Sequence, residues 1–354
     1  MVATPPRRAL VLGGGGVLGF AWMLGALSAI ESVAGFDARE VDLAVGTSAG
    51  SVAAGLLGCG LPVDALCRHH QGTPLPDDLP IPFDYDSTGG ALPPRPRMRP
   101  AAPRLLLDGI RHPRRTPPIV ALSGLLPVGR GTLDPVHELM AGVATAGGRA
   151  DRWPDAPRPW VVAVDYSTGR RVVFGRDNFA PRRDGVPRIV RTASLADAVT
   201  ASCSIPGWYA PTVIDGVPYV DGGVTSNASI DLLLDTAVDE VYVLAPMGGR
   251  GNPNPRTAVQ RLERAVRRSI AKTIAGDIAA LRARGVRVYE LAPEPDDLAV
   301  MGLNLMDPTP RTEVLDTARR TAADQLRRQL SAPSAPSAPP ARAGGASRVS
   351  SGEA

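Results

Sequence analysis

Twice near its start the chain runs from a short apolar stretch straight into glycine. Ala9-Leu10-Val11-Leu12 turns into Gly13-Gly14-Gly15-Gly16-Val17-Leu18-Gly19, and Val41 to Val45 feeds Gly46-Thr47-Ser48-Ala49-Gly50. An apolar run closed by a glycine turn and followed by small residues reads as strand, tight turn and buried helix. Two such units in succession predict the opening of a mostly parallel sheet covered by helices. In the second unit Ser48 sits where a strained strand-to-helix turn pushes a hydroxyl out at the end of the sheet. The first loop offers backbone N–H groups to a developing oxyanion. Together they point towards hydrolysis of an acyl group.

The length of 354 residues suits one large α/β domain with excursions, and the 44% hydrophobic fraction can fill its core. With only 4% aromatic residues, that core must be built from Ala, Val and Leu. A net charge of +4 fits an anionic surface or substrate without requiring either. Aromatic residues do not interleave with basic ones as a nucleic-acid stacking platform requires, so no nucleic acid is expected. Cys59, Cys67 and Cys203 make an odd count with no metal-ligand spacing. Cys59 and Cys67 lie near small or apolar residues, read as reduced and structural, and favour the cytoplasm. Arg7-Arg8 precedes an apolar stretch, but the glycines interrupt it and no convincing cleavage site follows. Neither a signal peptide nor a membrane span is expected.

Further along, a helix is expected over 17–33, and residues 71–118 change in character. Prolines crowd that segment, and between Arg95 and Arg115 seven arginines face one acid, Asp108. A connection of this length is a solvated insertion or a basic cap that meets anionic phospholipid headgroups. Regular structure is predicted again as a helix around Leu133 to Val143, strands over 160–164 and 171–174, and a helix over 194–202. A hairpin is expected between Val213 and Val220 around Asp215-Gly216. It is followed by a strand at 241–244, a long basic helix or helical pair over 256–284, a strand at 286–291 and a helix over 311–330. The Ala/Pro/Ser/Gly tail at 331–354 has nothing to bury and reads as disordered.

Gly14-x-Gly16-x-x-Gly19 also matches a dinucleotide-binding fingerprint, with Asp37 or Asp42 at about the right distance. The run of consecutive glycines exceeds what a pyrophosphate turn needs, and the elbow at 46–50 has no part in a nucleotide site. No Gly-Lys-Ser/Thr follows, which excludes a Walker A loop. A serine nucleophile needs a proton acceptor. None of His69, His70, His112 and His137 follows a strand end late in the chain, where a hydrolase triad places its base. Asp221 leaves a strand beside Gly222-Gly223, which let another backbone approach closely. It is either a base for Ser48 or a plain turn aspartate.

With these motifs in their order, the chain resembles the patatin-like phospholipases, a family of lipid acyl hydrolases with a Ser-Asp dyad. The resemblance rests on Gly14-Gly15-Gly16-Val17-Leu18-Gly19, Gly46-Thr47-Ser48-Ala49-Gly50 and Tyr219-Val220-Asp221-Gly222-Gly223-Val224, with Ala201-Ser202-Cys203-Ser204-Ile205-Pro206-Gly207 and Asn227 beside them. It spans roughly residues 7–245 and departs from the pattern in two places. Gly13 stands where many members have aspartate, and Ala228-Ser229 stands where proline is often found. It implies a three-layer α/β/α fold with a mostly parallel central sheet, the hydrolase domain occupying 7–330. It further implies Ser48 as nucleophile and Asp221 as general base. Backbone N–H groups of the loop Gly14, Gly15, Gly16 and Val17 would hold the oxyanion, with Gly19, Gly46, Gly50, Gly222 and Gly223 as structural glycines. The implied substrate is a phospholipid, lysophospholipid or related lipid ester. No cofactor or metal is implied, and any membrane contact would be peripheral, through the arginine-rich 95–115 segment. An acyltransferase using the same acyl-enzyme, or a lipid-binding protein with little turnover, would carry the same motifs.

Overall fold

The first apolar run becomes a central strand. β1 (Arg8–Leu12) lies between β2 (Leu43–Thr47) and a strand at Glu240–Leu244, parallel to both. The computed structural model describes residues 5–81, 97–100, 102, 123–148, 152–176, 188–249, 251, 255 and 257–332. Within these, the remaining strands are β3 (Arg97–Pro100), β4 (Pro127–Val128), β5 (Arg158–Asp165), β6 (Arg170–Phe174), β7 (Arg188–Val190), β8 (Thr212–Ile214), β9 (Val217–Asp221), β10 (Glu240–Leu244) and β11 (Arg287–Leu291). Nine of them form one sheet in the order β11-β10-β1-β2-β5-β6-β7, with β9 and β8 joined at β5; β3 and β4 make a separate antiparallel ribbon. The pairings from β11 to β5 and between β6 and β7 are parallel, whereas β5 meets β6 and β9 antiparallel.

Side chains alternate across a strand, and here both faces are covered, which explains why β1 and β2 read as continuous apolar runs. Leu10, Leu12 and Leu244 face one layer of helices, while Ala9, Val11 and Val243 face the other. The first layer holds α1 (Gly16–Ala34), α2 (Ala49–Gly58), α3 (Val63–His70), α4 (Asp134–Ala146), α5 (Leu195–Ser202), and two later helices, α7 (Pro295–Met301) and α8 (Arg311–Ser331). Across the sheet lies α6 (Ala258–Arg282), which buries Ile274, Ile278 and Leu281 beside the 3-10 turn Ile230–Asp235. Each such fully buried Leu or Ile contributes about 1.5–3 kcal/mol. The result is the expected three-layer α/β/α fold.

Several local expectations meet their structures. The hairpin turns through Asp215 (φ 50) and Gly216 (φ 77), both left-handed as a two-residue type I′ loop demands. The segment expected at 256–284 is one helix, opened by a capping box between Thr257 and Gln260. One expectation needs correcting. The stretch beginning at Gly16 is not broken by glycine: α1 runs unbroken for 19 residues and is long and apolar enough to cross a membrane. In this fold 67% of its most apolar 18-residue window is buried, and Gly25 lets the backbone of α8 approach to contact at Leu315 and Arg319. Of the insertion at 71–118, residues 82–96, 101 and 103–118 lie outside the described residues, as does the tail from 333. Its described start is pinned by Arg68, whose guanidinium holds Asp78 at 2.5 Å.

Candidate active site

Two strands running in opposite directions end against each other on one edge of β5. The last residue of β2, Thr47, pairs with Val162, and the last residue of β9, Asp221, pairs with Ala163. Ser48 follows Thr47, so Ser48 and Asp221 emerge at adjoining levels of the sheet although far apart in sequence.

At Ser48 the chain takes φ 53 and ψ −126, a left-handed conformation that costs a non-glycine residue about 1–3 kcal/mol. Its surroundings hold it there. The Ser48 N–H donates to Ser202 Oγ (2.9 Å), whose hydroxyl donates to the Val162 carbonyl (2.6 Å). The Ser48 carbonyl accepts from Ser51 N–H (2.7 Å) and Ser51 Oγ (2.6 Å). The flanking glycines leave no room for a side chain. A methyl on Gly46 would stand 2.5 Å from the Gly50 carbonyl oxygen, and one on Gly50 would overlap the Leu12 carbonyl.

Asp221 is buried at the end of β9, where its Oδ1 accepts from the Gly223 N–H (2.7 Å) and its own N–H donates to the Ser204 carbonyl (3.0 Å). A methyl on Gly222 would lie 2.5 Å from the Val162 carbonyl oxygen, so only glycine lets the chain turn this close to β5. Burial pushes the Asp221 carboxyl up to about 6, while hydrogen bonds from the Ser48 side chain and the Gly223 N–H pull it down. The carboxyl is therefore a proton acceptor poised near neutrality.

The glycine loop borders the same space, with a methyl on Gly14 falling 3.3 Å from Ser48 Cβ. Gly14 N–H donates to the Asn227 carbonyl (3.1 Å), and Asn227 Nδ2 donates back to the Gly14 carbonyl (3.2 Å). This narrows the expected donor set: Gly14 is engaged in the loop itself. Among the described residues no group accepts from the N–H of Gly15, Gly16 or Val17, whereas Leu18 N–H donates to the Leu305 carbonyl (2.9 Å). These three N–H groups open α1, where the helix dipole favours negative charge. Gly19 packs on Pro246.

Ser48 opens onto two spaces. A half-open apolar pocket of about 160 Å³ runs past Phe20, Val52, Leu56, Leu66 and Leu139. A wider cleft of about 670 Å³ joins Ser48 to Asp221, Gly15, Asn227 and Trp208. None of the described histidines lines either space. His69 Nε2 lies 2.9 Å from the Ile81 carbonyl, and His137 Nε2 lies 3.2 Å from Asp197. His70 is fully buried edge-on to Phe20, and burial pushes its pKa down to about 3. His112 lies outside the described residues. The acids that the dinucleotide reading needs are occupied structurally: Asp42 accepts from the Arg8 N–H (2.9 Å), and Asp37 caps the 3-10 turn at Ala38–Glu40.

Sequence reasoning grouped Ser202 and Ser204 in one stretch without seeing that one anchors Ser48 and the other Asp221. It missed Arg267 altogether. That guanidinium is buried, paired with Glu263, and donates to the carbonyls of Pro246 (2.8 Å) and Gly248 (3.3 Å), fixing the loop that backs Gly15.

Among solved structures, the chain is similar to VipD from Legionella pneumophila, with TM-score 0.43 and 13% identity over 92% of this chain and 68% of that one. It is also similar to the type III effector protein ExoU, with TM-score 0.36 and 16% identity over 92% of this chain and 53% of that one. The family model of the patatin-like phospholipases matches residues 10–234, which takes in β1, the elbow and Asp221. With most of its length matched and the three-layer fold in place, the chain belongs to the patatin-like phospholipase family, whose general activity is lipid ester hydrolysis.

Proposed function

We propose that this chain cleaves carboxylic esters of lipids through a Ser48–Asp221 pair and an acyl-enzyme. The observation that carries the reading is the meeting of β2 and β9 on β5, which opens a hydroxyl and a buried carboxylate into one cleft. Ser48 Oγ attacks the ester carbonyl carbon as its proton passes to the Asp221 carboxylate. The N–H groups of Gly15, Gly16 and Val17 hold the oxyanion, a contribution of several kcal/mol in such sites. Collapse of the intermediate breaks the bond to the alcohol, which leaves with the proton from Asp221. Water then gives a proton to Asp221, attacks the acyl carbon and releases the acid, and Ser48 recovers its proton.

The apolar pocket receives the acyl chain and the cleft receives the alcohol portion. A pocket of about 160 Å³ is close in size to a cavity that holds a benzene ring, which fits an acyl chain of about six carbons. All three cysteines are free and buried, in keeping with a reducing compartment.

The test measures acyl release from 4-nitrophenyl esters of increasing chain length and from a panel of phospholipids and lysophospholipids, using wild type, Ser48→Ala and Asp221→Ala. Both variants are expected to lose at least about 1,000-fold in kcat/KM. The wild-type profile should peak at medium chains. Wild-type rates in Asp221→Ala would remove the pair from the mechanism.

A further inference from the structure

Four residues border both the apolar pocket and the wider cleft: Gly16, Ser48, Ile205 and Met306. They enclose the junction of the two spaces, where an ester carbonyl must lie to meet Ser48. Ser48 is the attacking group of the scheme above and Gly16 one of its oxyanion donors, so the shape of the junction falls to Ile205 and Met306. Ile205 is stiff. It branches at Cβ, its N–H donates to the Cys203 carbonyl (2.9 Å), and its own carbonyl accepts from the N–H groups of Trp208 (3.1 Å) and Tyr209 (3.0 Å). Met306 is unbranched and half-buried, a side chain whose size and rotamer set the width of the junction.

Met306 comes from the loop that joins α7 to α8, beyond the residues 10–234 matched by the family model. The backbone of that loop is tied down. The Leu305 carbonyl accepts from the Leu18 N–H (2.9 Å) in the first turn of α1, Asn304 Oδ1 accepts from the Met306 N–H (3.1 Å), and the Asp307 N–H donates to the Asn304 carbonyl (3.2 Å). Both ends of the loop run into buried residues, Met301 and Val314. A pinned backbone aims the side chain. A methyl on Gly16 would stand 2.8 Å from Met306 Sδ and 3.0 Å from the Leu305 carbonyl oxygen, so the thioether rests against Gly16. Bulk there meets the part of a substrate nearest the reacting carbonyl. Leu66 and Leu139 border the pocket but not the cleft, and they meet an acyl chain further along.

We propose that Met306 is a specificity-determining residue: as the wall between acyl pocket and alcohol cleft, it sets how much bulk is accepted on the carbon next to the reacting carbonyl. A straight acyl chain leaves the junction along the pocket, whereas a branch at that carbon runs into the thioether. The kinetic form of the proposal rests on the ester-cleaving reading of Ser48; the wall itself does not depend on the proton-transfer scheme.

The test compares kcat/KM for 4-nitrophenyl hexanoate and 4-nitrophenyl 2-methylhexanoate in the full chain as wild type, Met306→Ala, Met306→Leu and Met306→Phe. The ratio of the two esters is taken within one preparation, so any loss of folded protein cancels. Wild type should favour the straight chain at least about 10-fold more than alkaline hydrolysis does, the discrimination that one methyl group carries in a fitted site. Met306→Ala should lose most of that preference and Met306→Phe should sharpen it. Met306→Leu, nearly equal in volume, should keep it within about two-fold. A wild type without the preference overturns the proposal. So do variants that slow both esters in proportion, the mark of a merely structural methionine. If wild type cleaves neither ester, the ester reading fails by itself, and calorimetry with 2-heptanone and 3-methyl-2-heptanone, which carry the same two acyl skeletons, decides the wall. A preference for the straight ketone that disappears in Met306→Ala upholds it; equal or absent binding of the two overturns it.

Discussion

The two strand ends that meet on β5 are held by opposite means. At the end of β2, the constraint is steric: Ser48 has a left-handed backbone, and glycines at 46 and 50 leave no space for a methyl. At the end of β9, the backbone is unstrained (Asp221 φ −48, ψ 131), and the cost lies in a desolvated carboxylate. Ser48, the proposed nucleophile, is thus presented by packing that also supports the fold. The acid is presented at the fold's expense, since a buried charge opposes folding. Enlarging a side chain should hurt either end, since Gly222 is as crowded as Gly46, whereas removing charge should help only the second.

Gly50→Ala is the largest expected break in this contrast. The new methyl meets the Leu12 carbonyl, a backbone atom with no freedom to move aside, so stability should fall by about 3 kcal/mol or more, as urea unfolding would reveal. A neutral result would mean the elbow is looser than its geometry implies. Ser202→Ala should cost about 2 kcal/mol, because it leaves both the Ser48 N–H and the Val162 carbonyl without their partner. Its activity should drop with unchanged ester preference, and Ser202→Thr should restore part of it.

At the other end, Asp221→Asn should abolish turnover and yet stabilise the protein by about 1–2 kcal/mol at pH 8. The sign follows from the raised carboxyl, at about 6 against the ordinary 3.8. The folded protein holds the proton more tightly than the unfolded chain does, so stability is lost as pH rises from about 4 to 6 and stays lost above. The gain from asparagine should therefore vanish below pH 4. In wild type, kcat/KM should rise with pH to half its plateau near pH 6, as the carboxylate forms. Equal melting temperatures of the two proteins across that range would show that Asp221 carries no such cost.

Much of this arrangement was legible in the sequence. Apolar runs ending in glycine identify β1 and β2, and Ser48 and Asp221 are recognisable from their glycine neighbours. What local pattern could not reveal is that β9 enters the sheet antiparallel and abuts β2, because that depends on pairing with β5. Arg267 reads as one more solvated base on a basic helix, and only the folded loop at Pro246 makes it a buried clamp. β7 and α7 are too short for any period to stand out.

The abutment of β2 and β9 also has a consequence in time. A chain made from its N-terminus carries Ser48 and the glycine loop early, whereas Asp221 emerges roughly 10–30 seconds later at ordinary elongation rates. Until β9 docks beside the end of β2, the nascent chain has the Ser48 hydroxyl without the base proposed for it. Under the proposed mechanism, a protein assembled in this order stays inert until that docking, and the appearance of activity reports closure of the sheet.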